Sequence, residues 1–258
     1  MSGMKPPSYI ADHIRRVLLD GASAPHSEEV QRFFKEEVAS RGWYTAELRK
    51  VAYRFHRVLV NEHGIDYLVS VADQLFRGCV LEEKNMAVML LEKSVHDFGT
   101  KQFRLFHRWL DRVSSWADHD ALLHYLIGPM IVDEPSRVRF VFVWARSRNR
   151  WRRRASAVAL IRGARRRMFR SEIARLSEML LDDADDMVQK GLGWLLREYA
   201  KADAVNAVKL LMKLRARLPR LVRRTACETL EPKTRAKVLA KVTPAKSVNG
   251  GPEGGSCP

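Results

Sequence analysis

Apolar residues in this chain recur at helical spacing almost everywhere and alternate almost nowhere, and that pattern removes sheet-based folds at the outset. Leu122, Leu123, Leu126, Ile127 and Met130 share one helix face, as do Val188, Leu192, Leu195, Leu196 and Tyr199. Ile173, Leu176, Met179 and Leu180 form a shorter version. The sole Asn-Gly pair, Asn249-Gly250, lies near the chain end rather than between apolar runs, so it marks no hairpin. Start and stop signals cut the pattern into about a dozen helices of roughly 10–18 residues. Ser27 is placed to cap a helix running toward Ser40, with Gly42 beyond its end. Thr45, Asp66, Thr100, Asn149 and Asp203 are placed to cap others, and Pro219 to open one at its first turn. Helix pairs recurring roughly every 35–45 residues predict an all-α fold of stacked helical hairpins. An ordinary helical bundle fits the same periodicity. The expected organisation is one domain over 1–242, followed by a disordered tail, Thr243–Pro258, rich in Gly, Pro and Ser.

Charge separates the possible partners. The chain carries 46 Lys+Arg against 30 Asp+Glu, a formal net charge of +16. That excess predicts attraction to polyanions, nucleic acid first and an anionic membrane surface second. Between Arg146 and Arg170 there are eleven arginines and no Asp or Glu. A second basic stretch runs from Lys209 to Arg224. Such a run either repels itself until a polyanion arrives, or is a solvated face neutralised by acids elsewhere in the chain. The helix after Asn149 offers only Trp151, Ala155, Val158 and Ala159 as apolar residues, too narrow a face for a membrane-surface helix. No apolar stretch reaches the ~18 residues of a membrane span, and the first residues hold no apolar signal region. Cys79, Cys227 and Cys257 are too few and too scattered for a disulfide framework or a zinc site. The expectation is a cytoplasmic protein, at the nucleoid if bacterial, with no metal and no cofactor.

Three places stand out beyond core and charge. Trp116 and Asp120 lie four apart, so they share a face if that turn is helical. Asp118 or Asp120 could equally be a helix cap with Trp116 as its hydrophobic staple. Trp194 lies about 100° from the core residue Leu195, beside Lys190, Gly191 and Arg197. Gly191 and Gly193, each costing up to about 1 kcal/mol inside a helix, mark a close approach, either of a ligand or of another helix. Arg154 sits at the edge of an apolar stripe, aimed into a groove or laid over the core.

These residues carry a resemblance. Trp144-Ala145-Arg146-Ser147-Arg148-Asn149-Arg150-Trp151-Arg152-Arg153-Arg154-Ala155 resembles the Trp-Ala-x-Ser-x-Asn-x-Trp-x-x-Arg-x-Ala motif of the AlkD-type DNA alkylation repair enzymes. Val188-Gln189-Lys190-Gly191-Leu192-Gly193-Trp194-Leu195-Leu196-Arg197-Glu198-Tyr199 is similar to that family's strongest motif, and Leu218-Pro219-Arg220 with Arg224-Thr225-Ala226-Cys227-Glu228 to its closing helix. The resemblance spans about Ser27 to Leu230 and is strongest after Trp144. It implies a curved solenoid of HEAT-like helical pairs with a basic concave groove for duplex DNA. It also implies excision, by a monomer, of N3- and N7-alkylated purines through hydrolysis of the N-glycosidic bond. It places the catalytic carboxylate on Asp120, the active-site tryptophans on Trp116 and Trp194, and a DNA-contacting arginine on Arg154. Arg148, Arg152, Arg153 and Lys190 are then expected to face DNA. One departure stands out: the family's Trp-Asp-x-x-Asp reads here Trp116-Ala117-Asp118-His119-Asp120, which keeps Asp118 as a second candidate.

The chemistry fits so sparse a site. A cationic alkylated purine is already a good leaving group and needs no general acid. What remains is to stabilise an oxocarbenium-like sugar and orient a water, which one carboxylate can do. Two indoles add π faces that favour a cation. The alternative expected from the same fold is a helical-repeat protein that binds nucleic acid without catalysis.

Overall fold

The computed structural model describes residues 4–240, so the expected tail, Thr243–Pro258, lies outside the described residues. Among these residues there is no strand. The helices are α1 (Pro7–Asp20), α2 (Ala24–Gln31), α3 (Thr45–His63), α4 (Ile65–Phe76), α5 (Leu81–Leu91) and α6 (Thr100–Trp109). There follow α7 (Trp116–Leu122), α8 (Gly128–Asp133), α9 (Arg139–Trp144), α10 (Arg150–Val158), α11 (Ile161–Arg165) and α12 (Arg170–Met179). The series closes with α13 (Asp186–Ala202), α14 (Ala204–Leu214), α15 (Arg220–Ala226) and α16 (Pro232–Leu239).

Helices α3, α5, α7, α10, α13 and α15 each pack on the next, an inner layer built in chain order. Helices α4, α9 and α14 back its members from outside. Neighbour-only packing of this kind is a solenoid rather than a bundle around one shared core. Between the layers lies a continuous apolar interior, with Trp109 and Trp144 fully buried and Phe76 stacked on Trp109 at 4.2 Å. No helix is long and apolar enough to cross a membrane among the described residues.

Several helix starts follow their capping chemistry. Asn149 accepts from the Trp151 amide at 2.8 Å to begin α10, and Asp203 accepts from the Asn206 amide at 3.2 Å to begin α14. Others shift by a residue or two: Tyr44, Gly64 and Gly99 hold the cap positions expected at Thr45, Asp66 and Thr100. The helix expected from Ser27 to Ser40 does not form. Ser27 lies inside α2, which ends at Gln31, and the chain then runs without helix to Tyr44. The contact that ties the end of this stretch is distant in sequence. The buried Glu82 carboxylate accepts the amides of Arg41 (2.8 Å) and Gly42 (3.0 Å), drawing this segment over α5. Gly42 takes a left-handed φ of 74°, which a side chain would resist.

Helices α7 and α8 are one run joined by a π-helical turn at Leu123–Ile127. Pro129, just beyond, cannot supply an amide to that ladder, and the wider turn absorbs the loss. His124 and Tyr125, within that turn, line the same cavity as Asp120.

Two half-buried histidines make stability pH-dependent. Burial, then the Arg152 charge, lowers the pKa of His107, whose Nδ1 accepts from Trp144. Burial, then Arg165 and Arg162, lowers that of His124. The unfolded chain therefore binds protons that the folded chain refuses, and stability falls as pH drops from the ordinary histidine value through the folded ones. The melting temperature should decline between about pH 7 and about pH 5 and decline less in His107→Asn. A wild-type melting temperature flat across that window would contradict the assignment.

Candidate active site and nucleic-acid groove

The turn that begins α7 separates the two candidate carboxylates. Ser115 is the N-cap, and Asp118 completes a capping box, its Oδ1 accepting the Ser115 amide at 2.7 Å and its Oδ2 the Ser114 amide at 3.0 Å. Lys84 of α5 donates to Asp118 Oδ2 at 3.1 Å, and both side chains are essentially unexposed. Every lone pair of Asp118 thus points inward to a structural partner. Asp120 caps nothing. Two residues further on, about 200° around the helix, it faces the opposite way. It lines a cavity of about 570 Å³ together with Trp116, Ala117 and Trp194.

The inner layer therefore brings Trp116 and Asp120 of α7 to one cavity with Trp194 of α13, more than seventy residues further along the chain. Thr45, Arg49 and Tyr125 contribute to its walls. Trp116 is 37% exposed, and Trp194 is half-buried.

Asp120 is held on both oxygens. Arg154 donates Nε to Oδ1 at 3.1 Å and Nη2 to Oδ2 at 2.7 Å, a two-point grip, and its Nη1 donates to the Met187 carbonyl at 2.7 Å. The ring of His119 places Nδ1 2.6 Å from Asp120 Oδ1. Burial alone would raise the Asp120 carboxyl, but the bonds and charges of His119 and Arg154 outweigh it and hold the group below the usual aspartate value. The carboxylate is ionised at neutral pH.

Helix α13 makes room for this arrangement. A Cβ on Gly191 would stand 3.1 Å from Arg154 Cγ, and one on Gly193 2.9 Å from Thr225 Cβ on α15. The close approaches marked by these glycines are helix–helix contacts, one of which seats the arginine that grips Asp120. Arg154 is accordingly buried rather than open to the groove.

The arginine run is largely neutralised by distant acids. Arg150 pairs with Glu36 (2.9 Å), Arg152 with Asp111 (2.6 Å) and Arg153 with Asp183 (2.6 Å). Arg165 and Arg170 pair with Glu198 and Asp203. Of the two readings of this run, neutralisation by acids elsewhere holds to that extent, since acids far along the chain fold back onto it. Arg146 and Arg148, in the loop before α10, are exposed and have no carboxylate partner among the described residues. Lys190 is half-exposed and pairs with Asp186 at 3.0 Å.

A second cavity, about 330 Å³, lies on the other side of Trp116 beneath the segment Phe33–Val38. Phe34 stacks on the Trp116 ring at 4.9 Å, and Lys35 reaches Asp186 at 3.3 Å. Sequence reasoning missed this segment, His119, and the walls supplied by Arg49 and Tyr125. A lone histidine beside an aspartate has no distinguishing spacing, and the segment's partners lie more than a hundred residues away for Glu36 and Lys35.

A family model described as DNA alkylation repair enzyme matches residues 14–230. The chain is also similar to a solved structure from Enterococcus faecalis described as a predicted DNA alkylation repair enzyme. The two share 15% identity at a TM-score of 0.74, over 82% of this chain and 97% of that one. No protein of curated function matches the chain.

Proposed function

This chain belongs to the DNA alkylation repair enzyme family, and from that premise we propose that it is a monomeric DNA glycosylase hydrolysing the N-glycosidic bond of cationic N3- and N7-alkylated purines in duplex DNA. The observation that carries the reading is a single cavity lined by an ionised Asp120 and two accessible tryptophans. Departure of the neutral alkylpurine leaves an oxocarbenium-like sugar. Asp120 stabilises that charge and orients the water that attacks the sugar carbon. The indoles of Trp116 and Trp194 lie against the cationic nucleotide. A cytoplasmic location, at the nucleoid if bacterial, accompanies this reading.

The experiment is release of free base from methylated duplex DNA by the purified protein. 7-Methylguanine and 3-methyladenine should be freed, while O6-methylguanine, a neutral base and therefore a poor leaving group, should stay.

Phosphate contact falls first to Arg146 and Arg148, which no internal carboxylate holds. Arg152, Arg153 and Lys190 contribute by exchanging their carboxylates for phosphates. The logarithm of affinity for undamaged duplex should fall with the logarithm of salt at about −0.9 per contact. Arg146→Ala with Arg148→Ala should flatten that slope by about two contacts' worth, and Arg152→Ala by less. An unchanged slope in the double variant would put DNA on another face.

One observation favours a second reading, a nucleic-acid-binding protein without catalysis. The Arg154 grip offsets the very charge Asp120 needs. Under that reading no methylated base is released while the salt-dependent binding remains.

A further inference from the structure

Next to Asp120 lies a titratable group that the mechanism above does not use. His119 is fully buried, on the same turn of α7, and both of its ring nitrogens are engaged. Nδ1 stands 2.6 Å from Asp120 Oδ1, and Nε2 stands 3.1 Å from the carbonyl oxygen of Trp151 on α10. Both partners are acceptors, so each ring nitrogen bonds its partner only as an N–H donor. The ring also lies 5.6 Å from that of Trp151, which closes one side of its pocket. His119 thus ties the carboxylate on α7 to the backbone of α10, the helix that carries Arg154.

The geometry points to His119 as a positioning residue for Asp120. The inference rests on the glycosylase reading. Arg154 by itself fixes the carboxylate plane along one edge, because its fork contacts both oxygens from the same side. The bond from Nδ1 adds a second direction at Oδ1 and leaves Oδ2 with one protein partner, Arg154 Nη2. Carboxylate rotation about its terminal bond is soft, so a second fixed bond sets which oxygen faces the reacting carbon. Among the described residues no other side chain bonds Asp120. His124 and Arg49 belong to the cavity wall, and neither bonds Asp120.

Two substitutions divide the roles of the ring. His119→Asn keeps a side-chain N–H near the Nδ1 position and gives up the link to Trp151. His119→Gln reaches the Nε2 position and gives up the bond to Asp120. Single-turnover excision of 7-methylguanine should fall by roughly 10²-fold in His119→Gln, the scale of a misplaced reacting group. It should be largely retained in His119→Asn. Duplex affinity should be unchanged in both, so the loss appears in the rate and not in binding. Independently of turnover, the Asp120 carboxyl followed by carbon NMR should titrate at higher pH than wild type in both variants, which lose the imidazole charge, and highest in His119→Gln, which also loses the bond. Circular dichroism and thermal melting confirm that both variants fold.

Equal excision by both variants at the wild-type rate, or a larger loss in His119→Asn than in His119→Gln, would overturn the positioning role and leave the glycosylase reading standing. A wild-type protein that releases no base would overturn that reading, and with it the role in excision.

Discussion

Replacing Asp120 by Asn should lower excision by about 10²–10³-fold, the usual cost of one preorganised electrostatic group, while duplex binding is kept. The substitution is nearly isosteric but not silent for stability. Arg154 is buried and makes its two-point grip on this carboxylate alone, so Asp120→Asn leaves a cation without its counter-charge. Breaking a buried pair from one side costs about 3–5 kcal/mol, and the partial exposure of Asp120 puts this case near the lower figure. The variant should therefore melt at a lower temperature as well as lose excision. Adding Arg154→Met removes the stranded cation and should recover most of the melting temperature without restoring the rate. That pattern separates chemistry from folding. If Asp120→Asn excised at the wild-type rate per folded molecule, the carboxylate would have no part in the reaction.

The second large effect belongs to the neighbouring carboxylate and is of the opposite kind. Asp118 and Lys84 form a pair with almost no exposure, and Asp118 also holds the amides that start α7. Lys84→Met strands the carboxylate and Asp118→Asn strands the ammonium, and each should cost about 3–5 kcal/mol. For a domain of this size that is a drop of roughly 10 °C in melting temperature. Excision should fall only as far as the folded fraction does. A loss of rate in fully folded Asp118→Asn equal to that in Asp120→Asn would move the reacting group from Asp120 to Asp118.

These contrasts also measure what could be read from the sequence. The helical class, the caps at Asn149 and Asp203, and the gathering of Trp116, Asp120 and Trp194 were legible because each rests on short spacing or on motif resemblance. The segment after Gln31 was not. Its local signals favour helix, but the chain just beyond it is tied to α5, where Glu82 accepts the Arg41 and Gly42 amides. The arginine run left its two readings open for the same reason, since Glu36, Asp111 and Asp183 lie far from the arginines they neutralise. The choice between Asp118 and Asp120 was open because their spacing fixes opposite faces without saying which face is buried. Lys84, on another helix, buries the Asp118 side. The glycines of α13 gave the correct signal, a close approach, but could not name Arg154 and Thr225 as what approaches.

The central claim is that an ionised Asp120 in the groove hydrolyses a glycosidic bond already weakened by a cationic base. It is tested most directly by single-turnover release of 7-methylguanine from a defined duplex, with protein in excess, comparing wild type, Asp120→Asn and Asp118→Asn under conditions where all three are folded. The account predicts release by wild type and by Asp118→Asn at similar rates, and release slowed by about 10²–10³-fold in Asp120→Asn. No release above the spontaneous rate by wild type, alongside intact salt-dependent binding to the same duplex, would contradict it.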